Sequence, residues 1–177
     1  MSILKVVRLG HPVLRKPAQN VPLDQIASPE NQRLIDDMVE TMKEYDGVGL
    51  AALQVHESKQ IAVLEVADNP RYPEKPMVPL TVLINPIITP LSDEVEEDWE
   101  GCLSISELRG IVPRHKKIRV LARSRDGTEL DFVASGFHAR VIQHEWDHLQ
   151  GKVFLDRMRE LSSLTYLQEY SRYHAED

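Results

Sequence analysis

His144 and His148 bracket Glu145-Trp146-Asp147 in an H-E-x-x-H pattern. On a helix, residues i and i+4 share a face, so both imidazoles can reach one metal ion. Glu145 follows the first histidine and is placed to handle the proton of an activated water. Neutral imidazole suits a borderline metal such as zinc or iron(II). Two histidines leave a tetrahedral ion short of a third protein ligand. The other soft ligand in the 177 residues is Cys102, the sole cysteine. The same pattern also occurs as surface or satisfied core histidines, so the helix around it must decide.

Gly136 precedes the pattern and Gly151 follows it, which punctuates a helix of about four turns. At roughly 100° per residue, Phe137, Val141, His144 and His148 fall on one stripe, and Ile142, Trp146 and Leu149 on nearly the opposite one. Arg140, Gln143, Asp147 and Gln150 form a polar strip between them. A helix apolar on two sides is expected to be central. Its histidines then look into an apolar interior, where an unpaired polar group is costly and a metal would satisfy them.

The elements that must carry this helix are legible in outline. Residues 1–27 are proline-punctuated and are expected to wrap the surface. Ser28-Pro29 starts a helix whose Leu34, Ile35, Met38, Val39 and Met42 recur at helical spacing up to about Tyr45. Ile61–Val66 and Thr81–Ile88, the latter interrupted at Pro86, read as strands. Asp68–Pro79 holds four prolines and reads as a loop. Asp93–Glu97 reads as a solvated acidic edge. Ile118–Arg123 and Glu129–Ala134 flank Asp126-Gly127, a hairpin signal. Val153–Leu155 reads as a short strand, and Leu161, Leu164, Leu167 and Tyr170 mark a last amphipathic helix over about 161–173. Runs of strands with helices between and after them predict an α+β fold with antiparallel sheet.

The length predicts one catalytic domain with a core of its own. Hydrophobic content is 42% and charged content 28%, ordinary for a globular protein. A net charge of −7 argues against a nucleic-acid partner that needs a basic face. One cysteine fits a reducing compartment and leaves the thiol available as ligand or nucleophile. No apolar run approaches a membrane span, and the N-terminus has no signal-peptide pattern. A cytoplasmic enzyme is the expectation.

Two further segments carry possible chemistry. Gly47-Val48-Gly49-Leu50-Ala51-Ala52-Leu53-Gln54 lacks the Gly-Lys-Ser/Thr of a phosphate loop; its small residues point to close backbone approach, with Gln54 supplying an amide. In Glu100-Gly101-Cys102-Leu103-Ser104 the cysteine is either inert packing or, beside a metal, a thiolate.

Together the three segments resemble the peptide deformylase family. Its motifs, G-Φ-G-Φ-A-A-x-Q, E-G-C-Φ-S and H-E-Φ-D-H with Φ apolar, occur here in that order and complete. Trp146 fills a slot where a smaller aliphatic residue is more familiar. Leu9–Arg15 and Val112-Pro113-Arg114 extend the likeness to roughly residues 5–158. The resemblance implies antiparallel sheets around a central metal-binding helix, with a variable C-terminal helix. It implies hydrolytic removal of the formyl group from N-formylmethionine on nascent bacterial polypeptides, releasing formate, with the ribosome near its exit tunnel as a possible partner. Iron(II) is the implied metal, with zinc, nickel or cobalt as substitutes; ligand softness alone would have pointed to zinc.

The implied site has Cys102, His144 and His148 as ligands and Glu145 as proton carrier. The Gln54 side chain and the Leu103 N–H are the implied donors to the oxyanion. The peptide is expected to lie as an added strand between Val48-Gly49 and Glu100-Gly101. Phe137 and Val141, on the histidines' stripe, are the expected wall of a methionine pocket, with Val48 beside them. Arg109 is a further candidate substrate contact. Arg114 is implied to pair with Glu100, whereas Arg140 reads as solvated. The rival reading is a zincin-type metallopeptidase, but most zincins take their third ligand from downstream, and Cys102 lies upstream.

Overall fold

A computed structural model describes residues 2–67 and 76–175. The first helix, α1 (Pro29–Glu44), starts as expected: the Ser28 side chain accepts from the Asn31 N–H at 3.3 Å, and Pro29 occupies the first turn. Its apolar stripe, Ile35, Met38, Val39 and Met42, is buried. Asp46, not a glycine, takes the left-handed conformation that ends it, with φ 51°.

Among the described residues the strands form two antiparallel sheets. The larger comprises β1 (Gly49–Ala51), β2 (Ile61–Val66), β3 (Val78–Pro90), β6 (Lys117–Arg123) and β7 (Glu129–Ser135), in the order β1-β2-β3-β6-β7. The smaller is the hairpin of β4 (Val95–Cys102) and β5 (Ile105–His115), extended by β8 (Thr165–Tyr166). The interruption expected at Pro86 is a register shift between Ile84 and Ile87, with Asn85 at φ 53°.

Helix α2 (Gly136–Leu149) carries the H-E-x-x-H residues and packs against strands of both sheets. Ile142 and Leu149 are buried on its sheet-facing sides, as the double stripe predicts. Gly151 follows it with φ 73°, the usual left-handed stop. One core cluster joins α1 to β1, β2 and β3; a second joins α2 to β2, β3, β6 and β7; a third ties the hairpin to Phe154. The N-terminal wrap is pinned by buried Val7, Leu14, Val21 and Ile26.

Several expectations need correction. Asp93–Glu97, read as a solvated acidic edge, is exposed as expected, but Val95–Glu97 also open strand β4, whose inner end, Glu100 and Cys102, is buried. Val153–Leu155 is not a strand: Phe154–Arg157 is a 3-10 helix that buries Phe154. The last helix does not run from 161. Leu161–Ser163 is a 3-10 turn, β8 follows, and α3 spans only Leu167–Tyr173. Of the expected proline loop, Asp68–Lys75 lies outside the described residues, and Val78-Pro79 already belongs to β3.

Candidate active site

The cleft is built where α2, β1 and the end of β4 meet. It is open to solvent, with about 500 Å³ of atom-free space within and over its mouth. Val48 and Gly49 line it from one side, Glu100, Gly101, Cys102 and Leu103 from another, and Phe137, Val141, His144 and Glu145 from the helix. Gln54 reaches it from the 3-10 helix Ala52–Val55. Of the residues expected to touch substrate, only Arg109 is not on this wall. It is buried in β5, and its guanidinium packs where a side chain at Gly101 would stand.

Cys102, His144 and His148 bring their donor atoms within 4.8 Å of one another, all buried. Cys102 Sγ lies 3.2 Å from His148 Nε2. Donors of a tetrahedral ion with bonds of about 2.0–2.3 Å stand roughly 3.3–3.6 Å apart, so the spacing fits a metal. The electrostatics fit too. Burial resists a charged thiol, yet His148 and His144 draw the Cys102 pKa well below its ordinary value. Burial resists a charged His144, yet Cys102 and Glu100 push its pKa well above the usual imidazole range. The group therefore attracts positive charge, which a thiolate and two imidazoles would give to a cation.

Around this trio stands a buried ionic network. Glu100 Oε2 is 3.0 Å from His144 Nδ1, which leaves the other ring nitrogen for the thiol side. Arg114 donates to both Glu100 oxygens, at 2.8 and 2.9 Å, as the family likeness implies. It also donates to Asp147 Oδ2 at 2.5 Å, and Arg157 holds Asp147 from the other side. Burial alone would raise the Glu100 pKa, but Arg114 and His144 hold the carboxyl far below the ordinary range.

Arg140 corrects its expected solvated placement. It is only 3% exposed. It donates to Glu100 Oε1 at 2.8 Å, to the Val112 carbonyl at 2.8 Å and to the Glu96 carbonyl at 2.7 Å. Sequence reasoning missed Arg140, Asp147 and Arg157 as supports of the site. For Arg140 and Asp147 the signal was present in the polar strip of a helix otherwise buried, because buried charge needs partners; Arg157, on the 3-10 helix beyond, carried no such signal.

Glu145 is buried, and its Oε2 has no hydrogen-bond partner among the described residues. Burial lifts its pKa to about 7, against the pull of His144 and His148. Gly49 makes room for it: a Cβ there would stand 2.7 Å from Glu145 Cδ. Gln54 is fixed by its neighbour. Its Oε1 accepts from the Ala51 N–H at 2.9 Å, which turns Nε2 toward Cys102 Sγ at 3.5 Å and Ser104 Oγ at 3.2 Å. Leu103 lies in the two-residue turn between Cys102 and Ile105, a register pair.

Residues 3–163 match the family model described as polypeptide deformylase. Peptide deformylase 1 of Nitrosomonas europaea is 46% identical over 164 residues, covering 93% of this chain and 92% of the relative. Peptide deformylase 1 of Bordetella pertussis is 46% identical over 161 residues, covering 91% and 90%. Among solved structures, the Met-Ala-Ser-bound class I type b peptide deformylase of Acinetobacter baumannii superimposes with a TM-score of 0.86 at 38% identity, covering 89% of this chain and 100% of that one. The peptide deformylase of Thermotoga maritima gives 0.78 at 35% identity, covering 90% and 100%. With a buried Cys/His/His group beside an unpaired carboxylate, and sequence likeness along nearly its whole length, this chain belongs to the polypeptide deformylase family, metal-dependent hydrolases that deformylate nascent peptides.

Proposed function

We propose that the cleft removes the formyl group from N-formylmethionyl peptides, with Cys102, His144 and His148 holding iron(II) and with zinc, nickel or cobalt as working substitutes. The observation that carries this reading is the buried Cys102/His144/His148 group with Glu145 in the same cleft. The metal assignment rests on the family likeness. Bound there, the ion would lower the pKa of a water and polarise the formyl carbonyl.

The chain's own groups do the rest. Glu145, with a free oxygen in the cleft beside the ligands, takes the proton of the attacking water and delivers it to the leaving amine. With no hydrogen-bond partner at Oε2 among the described residues, it can change protonation state without breaking a fixed bond. The Gln54 amide, held with its N–H groups toward Cys102, donates to the developing oxyanion together with the Leu103 N–H. Glu100 fixes the His144 ring through Nδ1 and is itself locked by Arg114 and Arg140.

The peptide is read as a strand laid along β1, which ends the larger sheet and pairs on one side with β2. Gly49 on that edge and Glu100-Gly101 opposite would flank it, since all three line the cleft, and the relative with Met-Ala-Ser bound supports a peptide as the ligand. Phe137, Val141 and Val48 form the wall for the methionine side chain. A substrate of this kind is met where nascent chains leave the ribosome, in the cytoplasm. Among the described residues no helix is long and apolar enough to cross a membrane.

The test is an anaerobic assay of formate release from formyl-Met-Ala-Ser, with metal analysis of the same sample. Stoichiometric metal and rapid formate release are expected. Cleavage of an internal peptide bond with no formate would instead support the zincin-type metallopeptidase reading.

A further inference from the structure

Trp99 has no role in the reading so far, yet it lines the same cleft as Gly49 and Glu145. It lies on β4, three residues before Cys102. Side chains alternate along a strand, so Glu100 turns inward to Arg114, Arg140 and His144 while Trp99 turns to the other face. That face is covered by the C-terminal segment. Strand β8 pairs with β5 at Leu108 and Arg109, and α3 with the residue after it then sets two rings on the indole. Tyr170 meets it edge-on with centroids 5.0 Å apart, and His174 lies tilted against it at 5.0 Å. Such pairs restrict an aromatic side chain to one orientation.

Helix α3 lies beyond residue 163, where the family match stops. A segment outside the shared core thus reaches the cleft wall through one side chain. An indole face at the rim of a peptide cleft offers apolar and ring-stacking contact and no charge.

We propose that Trp99, held by Tyr170 of the C-terminal helix and His174 just past its end, is a specificity-determining residue that favours an aromatic side chain in one of the two positions after formyl-methionine. This rests on the proposed deformylase reading of the cleft. Trp99 contacts substrate beyond the reacting bond, so its effect falls on binding. Tyr170 and His174 are positioning residues that act through Trp99.

The experiment compares kcat and KM of the metal-loaded enzyme for formyl-Met-Ala-Ser, formyl-Met-Phe-Ser and formyl-Met-Ala-Phe. Wild type, Trp99→Ala, Trp99→Phe and Tyr170→Ala are used, each checked for folding by circular dichroism. The wild type should prefer one phenylalanine peptide by about two- to tenfold in kcat/KM, carried by KM. Trp99→Ala should abolish the preference, with the change carried by KM; Trp99→Phe should retain most of it. Tyr170→Ala should reduce it and shift tryptophan fluorescence. Should Trp99→Ala fail to fold, Trp99→Phe and Tyr170→Ala carry the comparison. A wild type that releases formate from all three peptides without preference overturns this proposal and leaves the deformylase reading intact. A preference unchanged in Trp99→Ala overturns it as well. An unchanged preference in Tyr170→Ala overturns the part played by the helix. No formate from any peptide would instead overturn the underlying reading.

Discussion

Replacing Arg140 by leucine should destabilise the protein far more than the same change at Arg119. Both arginines pair with a carboxylate, Arg140 with Glu100 and Arg119 with Asp131. Their surroundings differ. The side chains of Arg140 and Glu100 are 4% and 5% exposed, whereas those of Arg119 and Asp131 are both 52% exposed. Removing Arg140 also strips donors from the Val112 and Glu96 carbonyls. Breaking a buried pair typically costs about 3–5 kcal/mol, because it leaves charge and carbonyls uncompensated. Arg114 still holds Glu100 through two bonds, which puts the expected loss at the lower end, about 3 kcal/mol. An exposed pair such as Arg119–Asp131 contributes about 0–1 kcal/mol. The assay is urea unfolding of each variant at one fixed metal concentration, because bound metal itself stabilises the folded state. At a slope of about 2 kcal/mol per molar urea, Arg140→Leu should lower the midpoint by roughly 1.5 M. Arg119→Leu should lower it by less than about 0.5 M. Equal shifts for the two variants would refute the argument and return Arg140 to the solvated reading.

Three further outcomes are expected. Glu145→Gln should keep stoichiometric metal and lose about 100- to 10,000-fold in kcat, measured as formate release; near-wild-type turnover would remove Glu145 as proton carrier. Cys102→Ala should lose metal to a chelator that the wild type withstands, followed by metal analysis after dialysis; unchanged occupancy would demand another third ligand. Gly49→Ala should keep metal but lose most turnover, because its Cβ would collide with the Glu145 carboxylate, with Cδ at 2.7 Å; full activity in a folded variant would show that the carboxylate can move aside at no cost.

The local parts of this site were legible because helical geometry is written within a few residues. His144, Glu145 and His148 needed only the four-residue repeat, and Ser28-Pro29 needed only capping chemistry. The double apolar stripe of α2 was enough to place that helix in the interior. The motifs around Gln54 and Cys102 pointed to the family, but their spacing alone left open whether the thiol was ligand or packing. The hairpin was harder to read, because its inward positions include Glu100, Arg109 and Arg114 rather than apolar residues. Alternation of apolar and polar residues, the usual strand signal, is therefore broken where the site needs buried charge. Only tertiary structure decided that Cys102, 42 positions before His144, meets the two imidazoles, and that Arg114, Arg140 and Arg157 converge on Glu100 and Asp147 from three different elements. The same holds for Tyr170 on Trp99. These pairings join residues far apart in the chain, and what selects them is the close packing of sheets around α2, which no short stretch of sequence contains.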